Sequence, residues 1–353
     1  MSMSGAAHPA AAASEEQTAA AAAAAGAEAP LLAVSDLRVD FRAAGRHVRA
    51  VDGLSYEVRR GQTVAMIGES GCGKTVSSRA LMALLPRTAH VTGSIRFNGQ
   101  ELVGLSERRM RAYRGAAIAM VFQDPTRSLN PTMRIGEQII EAVRAHGDSS
   151  RDAARERALE LMRLVRLPAA AERFEQYPHQ LSGGMRQRVM IAIAIAADPQ
   201  LLIADEATTA LDVTTQAQIM ELLRDIQRRL GMALLMISHD LGLAATFADE
   251  VLVMYAGRAV ERAPTRTLFE QVRMPYTRAL LDSIPRLEDP PHMTLNVVPG
   301  QAPNLAALPP GCSFAPRCPR ASDKCRENAP PFSEQEPAHS WACWHPYGPE
   351  DDR

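Results

Sequence analysis

Short apolar runs alternate with amphipathic segments along most of the chain. Residues 63–68 (TVAMIG), 201–205 (LLIAD) and 233–238 (ALLMIS) are apolar runs of strand length, so they predict buried strands. Apolar residues recur at helical spacing in residues 151–165 and again from Ala217 to Leu230. Buried strands that alternate with amphipathic helices predict an α/β fold with a mostly parallel sheet.

Two segments near the N-terminal side predict antiparallel structure. Residues 31–60 show short alternating runs, which we interpret as strands joined by a turn around Gly45. Residues 94–103 predict a hairpin with Asn98 and Gly99 as its turn, because these two residue types tolerate left-handed backbone angles. An antiparallel β part is therefore expected beside the parallel sheet.

The remaining pattern predicts further helices and one more hairpin. A helix is expected from Lys74 to Leu85, where Pro86 stops it. Residues 183–197 begin with two glycines and continue as an apolar helix, and residues 131–181 are richer in helix. Residues 250–263 resemble another hairpin.

The two ends of the chain differ from its middle. The first 30 residues contain 15 alanines and no aromatic residue, so residues 1–30 are interpreted as a disordered extension. From about Pro285 the chain is rich in proline, cysteine and polar residues, which predicts an irregular C-terminal extension over residues 286–353. Residues 31–285 form the predicted folded domain, with a helical subdomain at about residues 125–185.

Composition and charge exclude several classes of protein. The 353 residues are 46% hydrophobic and 22% charged, which excludes a wholly disordered or collagen-like chain. The net charge of -1 provides no basic field for nucleic acid, so no nucleic-acid partner is expected. No run of 18 strongly apolar residues occurs, and no lysine or arginine precedes Arg38, so neither a transmembrane helix nor a secretory signal is predicted. We expect a cytoplasmic chain, either free or held at a membrane by partners.

A glycine-rich loop between a predicted strand and a predicted helix is the first candidate site. Residues 68–75 read GESGCGKT, the spacing of a phosphate loop. Its glycines let backbone N–H groups face a phosphate, Lys74 reaches the β and γ phosphates, and the Thr75 hydroxyl binds Mg²⁺. Lys74 is one of only two lysines among 39 basic residues, which disfavours a chance match. The predicted ATP-binding residues of this segment are Gly68, Glu69, Ser70, Gly71, Cys72, Gly73, Lys74, Thr75 and Val76.

Two carboxylates follow a buried strand. Residues 201–206 read LLIADE, which places Asp205 and Glu206 where α/β sheets bind ligands. Asp205 is predicted to hold Mg²⁺ through water, and Glu206 to act as general base for water that attacks the γ-phosphate. An acidic helix cap is the alternative, which the upstream phosphate loop disfavours.

A second helix start has the chemistry of an anion site. Residues 181–188 read LSGGMRQR, and a Ser-Gly-Gly turn that opens a helix can bind an anion. One nucleotide fills one loop, so a head-to-tail pair of ATPase domains would explain the second site. An ordinary Gly-Gly helix start is the alternative. The residues predicted to contact the partner's ATP are Ser182, Gly183, Gly184 and Gln187.

These segments together resemble the nucleotide-binding subunit of an ATP-binding cassette (ABC) transporter. The resemblance covers about residues 31–285 and adds FQDP at 122–125, TALD at 209–212 and SHD at 238–240. It implies a P-loop NTPase (RecA-like) fold with an antiparallel β subdomain and a helical subdomain. Two residues depart from the usual pattern: Ala207 replaces a proline and could loosen Glu206, and Cys72 replaces a serine.

The same resemblance implies roles for four further residues. Gln123 would touch Mg²⁺ or the attacking water and sense the membrane partner, and His239 would contact the γ-phosphate. Asp212 would lie in the D-loop that couples two sites. Phe41 is the candidate for stacking on adenine, although a core strand residue is nearly as good an interpretation. The implied catalytic residues are Glu206, His239, Gln123 and Lys74.

Four of the five cysteines lie in the last 42 residues with the spacing C-x5-C-x6-C-x17-C. Thiolates in fours hold Zn²⁺ or an iron–sulfur cluster, and the absence of a C-x2-C pair weakens the zinc interpretation. The prolines favour a loop that wraps a metal group over a helix. Four unrelated thiols are the alternative. The cysteines are Cys312, Cys318, Cys325 and Cys343.

The tail also resembles a known extension. The segments VVPGQAPNLAALPPGCSFAPRCPRA and MPYTRALLDSIP, with FQDPTRSLNP earlier, are similar to the ATP-binding subunits of bacterial dipeptide and oligopeptide importers. The resemblance implies a [4Fe–4S] cluster on the four cysteines, with zinc as a minor alternative because His339 and His345 lie nearby in sequence. It also implies a second related ATPase subunit, two transmembrane permease subunits, a periplasmic peptide-binding protein, and a place on the cytoplasmic face of the inner membrane.

Three other functions fit parts of this pattern. A soluble ABC ATPase that acts on DNA or ribosomes shares the nucleotide motifs, but the near-zero net charge and the importer-like tail disfavour it. An importer of a non-peptide substrate, such as a nickel chelate, would look the same. A redox sensor that controls ATPase activity through the tail is compatible with transport.

Overall fold

Two sheets form the frame of the molecule. A computed structural model describes residues 29–43, 46–209, 211–284, 297–348 and residue 351. The larger sheet has eight strands and the smaller has four, and an apolar core lies against each face of the larger sheet. The predicted α/β fold with a separate antiparallel part is therefore confirmed.

The larger sheet has the order β11-β12-β10-β9-β3-β8-β7-β6, and its five strands from β9 to β6 are parallel. Strands β3, β7 and β8 are buried along their full length because they are covered on both faces, which explains their continuous apolar sequence. The strands of this sheet are β3 (Thr63–Ile67), β6 (Ile118–Val121), β7 (Leu201–Asp205), β8 (Ala233–Ser238), β9 (Glu250–Tyr255), β10 (Arg258–Pro264), β11 (Ser333–Glu336) and β12 (His339–Trp341).

The smaller sheet is antiparallel, with the order β2-β1-β4-β5. The hairpin turn predicted at Asn98 and Gly99 is confirmed, since both have positive φ, 48° and 77°. The turn predicted around Gly45 lies outside the described residues. The strands are β1 (Leu32–Ala43), β2 (Arg46–Val58), β4 (Ala89–Phe97) and β5 (Gln100–Glu101).

Twelve α-helices occur among the described residues, several of them a single turn. The segment 131–181 is rich in helix, as predicted, and two short 3₁₀ turns lie at Pro178–Gln180 and Ala315–Arg317. The helices are α1 (Lys74–Leu81), α2 (Glu107–Met110), α3 (Pro125–Ser128), α4 (Ile135–Arg144), α5 (Arg151–Leu164), α6 (Ala170–Arg173), α7 (Gly183–Ala194), α8 (Val213–Leu230), α9 (Leu241–Phe247), α10 (Thr265–Glu270), α11 (Pro275–Asp282) and α12 (Asp323–Glu327).

Helix α1 ends four residues before the predicted stop at Leu85. Ala83 has a φ of 48°, which is incompatible with a continuing helix. The Arg114 side chain binds the last carbonyls, with Nε 2.6 Å from the Met82 oxygen and Nη2 3.0 Å from the Ala83 oxygen. A distant side chain, and not Pro86, thus marks the end of the helix.

The C-terminal extension is more regular than its composition suggests. Strand β12 pairs with β10, with Glu261 opposite Trp341, so the extension adds a hairpin to the larger sheet. A short helix, α12, carries Cys325, which corrects the expectation of a loop without helix. Phe314 is 1% exposed and packs into the same core as the parallel strands.

Replacing Phe314 by alanine tests whether the extension belongs to this core. Its ring centroid lies 5.3 Å from the rings of both Tyr255 and Tyr276. We expect Phe314→Ala to lower the free energy of unfolding by about 3–5 kcal/mol in urea denaturation. The exposed Phe122 is the control, where alanine should change it by about 0.5 kcal/mol or less. A loss below about 1 kcal/mol at Phe314 would contradict a shared core.

Candidate nucleotide site

Four neighbouring parallel strands end at one edge of the larger sheet. Residues 68–73 follow β3, Gln123 lies two residues after β6, Glu206 follows β7, and His239 follows β8. The carboxyl ends of parallel strands meet at the same edge, which is where open α/β sheets bind ligands. The predicted catalytic residues, distant in sequence, thereby lie along one edge of the sheet.

The loop between β3 and α1 accepts only glycine at two positions. Gly68 has a φ of 156°, and a Cβ there would lie 2.3 Å from the Met254 oxygen. Gly73 has a φ of 104°, and a Cβ would lie 2.4 Å from the Ala50 oxygen. The loop therefore lies directly against backbone, and its curvature depends on residues without side chains.

Lys74 is 4% exposed and its ammonium group turns back onto the loop. Nζ donates to the carbonyls of Gly68 and Glu69, at 2.7 and 3.0 Å, and lies 3.8 Å from the Cys72 sulfur. Burial raises the pKa of the Cys72 thiol, so the residue that replaces the usual serine is neutral. A buried ammonium among backbone groups is suited to a phosphate ligand.

Thr75 and Asp205 provide oxygen donors beside the loop. The Thr75 hydroxyl donates to Oδ1 of Asp205 at 3.0 Å, and Asp205 is 2% exposed. Burial raises the pKa of Asp205, although the Thr75 hydrogen bond opposes this. A hydroxyl and a carboxylate are the ligand types that Mg²⁺ prefers, so this pair fits the predicted magnesium site. Gln123, predicted to touch Mg²⁺ or the attacking water, donates to the Glu206 carboxylate.

Glu206 has a strained backbone at the end of β7. Its φ is 48°, and its N–H donates to the Ile237 oxygen of β8 at 3.0 Å. Its carboxylate accepts from Gln123 Nε2 at 2.6 Å and from the Thr209 hydroxyl at 3.3 Å. Left-handed geometry in a residue other than glycine costs about 1–3 kcal/mol and is common in functional sites. Ala207 beside it is buried, 6% exposed.

The second predicted anion site is an exposed turn that begins helix α7. The Ser182 hydroxyl accepts from the Met185 N–H at 3.4 Å, so Ser182 caps the helix. Gly183 and Gly184 form the first turn, and Gly184 lies against Thr215, which a Cβ would approach to 3.0 Å. Gln187 is 1% exposed, and its Nε2 has no partner among the described residues.

Asp212 caps helix α8 next to this turn. Its carboxylate accepts from the Thr215 hydroxyl at 2.7 Å and from the Thr215 N–H at 3.0 Å. These hydrogen bonds hold the pKa of Asp212 below its usual value. Because Thr215 contacts both Gly184 and Asp212, the glycine turn and the predicted D-loop residue form one local unit.

Two predicted nucleotide residues stand apart from these contacts. His239 is exposed directly after β8, and the next residue, Asp240, caps helix α9. Phe41 lies on β1 opposite Val48 and Ala89, half-buried at the edge of the smaller apolar core. Adenine stacking by Phe41 stays a prediction.

The four cysteines of the extension line one small cavity. All four are free thiols, and burial raises the pKa of Cys343 to about 12. No group of three or more His, Cys, Asp or Glu side chains in the described part of the chain is placed to hold a metal ion. His345 also lines the cavity, whereas His339 hydrogen-bonds Glu261 and is absent from the lining. The cysteines are Cys312, Cys318, Cys325 and Cys343.

Sequence patterns did not reveal two residues of the nucleotide site. Thr209 contacts the Glu206 carboxylate, and the Tyr276 hydroxyl accepts from the Glu69 N–H at 2.9 Å. Thr209 is the first residue of the TALD segment and lies three positions after Glu206. This spacing is the sequence signal that could have identified it as a neighbour of Glu206. Tyr276 lies 207 positions from Glu69, and no local pattern connects them.

A phosphate loop, an oxygen pair for Mg²⁺ and a carboxylate at one sheet edge define a P-loop nucleotide-binding protein. Residues 51–209 match the family described as "ABC transporter". Residues 260–325 match "Oligopeptide/dipeptide transporter, C-terminal region".

Related proteins match over most of the chain. A probable peptide ABC transporter ATP-binding protein, y4tR, of Sinorhizobium fredii is 49% identical, with 89% of this chain and 94% of that protein covered. The oligopeptide transport ATP-binding protein OppD of Salmonella typhimurium is 48% identical, covering 90% and 94%. OppD of Mycobacterium tuberculosis is 50% identical over 89% of this chain, which spans only 52% of that relative.

Solved structures of cassettes share the fold. The dimeric ATP-binding cassette MJ0796 bound to ADP and Pi superposes with a TM-score of 0.60 at 25% identity, covering 67% of this chain and 99% of that chain. CbiO1 of Clostridium perfringens, part of the ABC transporter complex cbiONQ, gives 0.59 at 25% identity, covering 69% and 91%. The chain belongs to the ABC transporter family, among the peptide-transport ATP-binding proteins.

Two glycines of the loop give a test of its geometry. Gly71 has a φ of 80° and open space within 4 Å of the point where a Cβ would stand, whereas at Gly73 a Cβ would meet backbone at 2.4 Å. We expect Gly71→Ala to lower the free energy of unfolding by about 1–2 kcal/mol through φ alone. Gly73→Ala should lower it by more than about 3 kcal/mol, because overpacking adds to the same strain. Equal losses in urea denaturation would contradict the close approach to Ala50.

Proposed function

We propose that this chain hydrolyses ATP to ADP and phosphate and thereby powers import of di- and oligopeptides through an ABC transporter. The observation that carries the proposal is the contact between Thr75 and Asp205 at 3.0 Å, beside a buried Lys74 and next to Glu206. The names of the relatives support peptide transport as the process that consumes the ATP.

Each group has a proposed role that follows from its chemistry. The buried ammonium of Lys74 and the loop N–H groups bind the β and γ phosphates, and Thr75 and Asp205 hold Mg²⁺. When bound, Mg²⁺ would neutralise charge on the phosphates. Glu206 accepts a proton from the attacking water, and Gln123, which donates to its carboxylate at 2.6 Å, orients both. His239 contacts the γ-phosphate from the end of β8.

A pair of ATPase subunits is part of the proposal. Ser182 is exposed at a glycine turn, so this anion site can be filled from outside the chain. The related cassette MJ0796 was solved as a dimer. We propose a head-to-tail dimer with a second, related ATPase subunit, in which each glycine turn contacts the partner's ATP and Asp212 couples the two sites.

An apolar groove beside Gln123 is the proposed contact with the permeases. Leu84 and Phe122 are 39% and 36% exposed, and both line the groove together with Met82, Met120 and His146. Phe122 immediately precedes Gln123, so a permease segment in this groove would act directly on the Glu206 hydrogen bond. We propose two permease subunits as partners of the ATPase pair, one of which occupies the groove of this chain, with a periplasmic peptide-binding protein on the far side of the membrane.

Location follows from these partners. In the described ranges, no helix has the length and apolar character needed to span a bilayer. We propose that the chain is peripheral, on the cytoplasmic side of the inner membrane. The proposed cassette comprises residues 31–285, with a helical subdomain at about residues 125–185, and residues 286–353 form the extension.

The glutamate at the end of β7 gives the direct test of ATP hydrolysis. We expect Glu206→Gln to lower the rate of hydrolysis by about 10²–10⁴-fold, since it removes the general base, while ATP affinity stays within about threefold. Single-turnover hydrolysis and equilibrium binding with labelled ATP measure the two effects. Glu221→Gln, at an exposed position of helix α8, is the matched control and should leave both unchanged. Normal turnover in Glu206→Gln would eliminate this residue as the base.

We also propose that the four cysteines hold a [4Fe–4S] cluster. Their arrangement around one cavity and their free thiols support this, whereas the thiols are not placed to hold an ion as they stand. Zinc stays the minor alternative, with His345 at the cavity.

Elemental analysis tests the cluster. The anaerobically purified chain should contain about four iron and four sulfide atoms. Cys318→Ser should lose them, whereas Cys72→Ser, at the one cysteine outside this cavity, should retain them. Zinc without iron, or no metal at all, would eliminate the cluster and leave the nucleotide site unaffected.

A further inference from the structure

One arginine of the extension reaches the phosphate loop. Arg317 ends the 3₁₀ turn Ala315–Arg317, directly before Cys318, and lies 248 positions from Glu69. Its Nη1 and Nη2 donate to the two carboxylate oxygens of Glu69 at 2.6 and 2.8 Å. This is a bidentate pair, the strongest form of arginine–carboxylate contact. Glu69 is the second residue of the phosphate loop.

The guanidinium group of Arg317 has no unused donor. Nε donates to the Pro299 oxygen at 2.6 Å, Nη1 also to the Tyr255 hydroxyl at 3.3 Å, and Nη2 also to the Val298 oxygen at 3.3 Å. With the two bonds to Glu69, all of its N–H groups are used. The side chain is only 6% exposed, and its guanidinium carbon lies 5.9 Å from the ring centroids of Tyr255 and Phe314. One orientation of Arg317 therefore satisfies every contact.

Glu69 is held at three points. Its N–H donates to the Tyr276 hydroxyl at 2.9 Å, its carbonyl accepts from Lys74 Nζ at 3.0 Å, and its carboxylate binds Arg317. The rings of Tyr276 and Tyr255 are 4.5 Å apart, so the groups around Glu69 also pack on one another. Movement of the Glu69 side chain would therefore disturb the backbone that carries the predicted phosphate-binding lysine.

We propose that Arg317 is a positioning residue of the nucleotide site. Through this residue the C-terminal extension would hold the phosphate loop in the conformation that binds ATP. The proposal rests on the proposed function of this loop as the ATP site. Arg317 acts through Glu69 and touches neither ATP nor Mg²⁺. A loop fixed before ATP arrives loses less conformational entropy on binding, so the contact raises ATP affinity without taking part in hydrolysis.

A second arginine separates this role from simple attachment of the extension. Arg273 Nη2 binds both carboxylate oxygens of Glu336, at 2.8 and 3.1 Å, and its Nη1 donates to the Tyr347 oxygen at 3.0 Å. Arg273 is 5% exposed and, like Arg317, fastens the extension to the cassette. None of these contacts involves the phosphate loop. Variants at the two arginines therefore differ in whether Glu69 loses its partner.

The test compares steady-state ATP hydrolysis by the full chain with Arg317→Met or Arg273→Met. We expect Arg317→Met to raise KM for ATP by roughly five- to twentyfold, within the usual range of coupling between sites, with kcat changed by less than about twofold. Arg273→Met should leave KM unchanged. Arg317→Lys should have a KM between those of the wild type and Arg317→Met, because lysine keeps the positive charge but cannot form the bidentate contact.

Glu69→Gln probes the same contact from the loop, should the arginine variant fail to fold. It should raise KM for ATP as Arg317→Met does, and the double variant should be no worse than Arg317→Met alone, since the two act through one contact. Wild-type KM in Glu69→Gln, or an equal rise in Arg273→Met, would overturn the proposal. Absence of ATP binding by the wild-type chain would instead refute the proposed function of the loop.

Discussion

The site depends on one constraint: parallel strands deliver their carboxyl ends to the same edge of the sheet. Strands β3, β8, β7 and β6 are neighbours, so the loop after β3, the two acids at the end of β7 and the glutamine after β6 lie along the same edge. The hydrogen bond from Thr75 to Asp205 joins the start of helix α1, which follows the loop after β3, to the end of β7. The oxygen atoms that can bind a cation therefore lie close to the buried ammonium of Lys74, and no flexible loop has to bring them together.

The same sheet explains why the C-terminal extension is ordered where it is described. Strand β12 adds to β10, and the buried pair of His339 and Glu261 lies at that junction, with their side chains 0% exposed. The extension then passes back over the cassette, where Phe314 fills the core and Arg317 binds Glu69. The cavity of the four cysteines and the phosphate loop are consequently joined through a single short turn of chain.

Contiguous patterns predicted what depends on neighbouring residues. The buried strands β3, β7 and β8, the helix predicted from Ala217 to Leu230 and the Asn98-Gly99 turn follow from local periodicity and backbone preference. Contacts between distant residues left no such trace. The contact of Arg114 with the end of helix α1 has no signature in the sequence around that helix. Strand β6 has too few residues to show the alternation of a strand. Nothing in the local sequence of Glu69 indicates its pairing with Arg317.

The sequence predicted which residues form the nucleotide site, but it predicted only part of their contacts and backbone conformations. Gln123 was expected to touch Mg²⁺ or the attacking water, which stays a prediction. Its hydrogen bond to Glu206 and the left-handed backbone of Glu206 have no signature in the sequence. The extension shows the reverse: its cysteine spacing was evident, while its hairpin became apparent only through pairing with β10. The geometry at Glu206 and the hairpin of the extension both depend on contacts with residues distant in sequence more than on local composition.

The central claim is that the loop after β3 binds the phosphates of ATP through Lys74, and the chain's two lysines allow a direct measurement. Equilibrium binding of ATP with Mg²⁺ would be compared for Lys74→Ala and for Lys324→Ala, an exposed lysine 3.8 Å from the Trp344 ring centroid. Loss of a hydrogen bond to a charged group should weaken binding by roughly 10- to 150-fold in Lys74→Ala, and Lys324→Ala should bind as the wild type does. Equal affinity in the two variants would contradict the account.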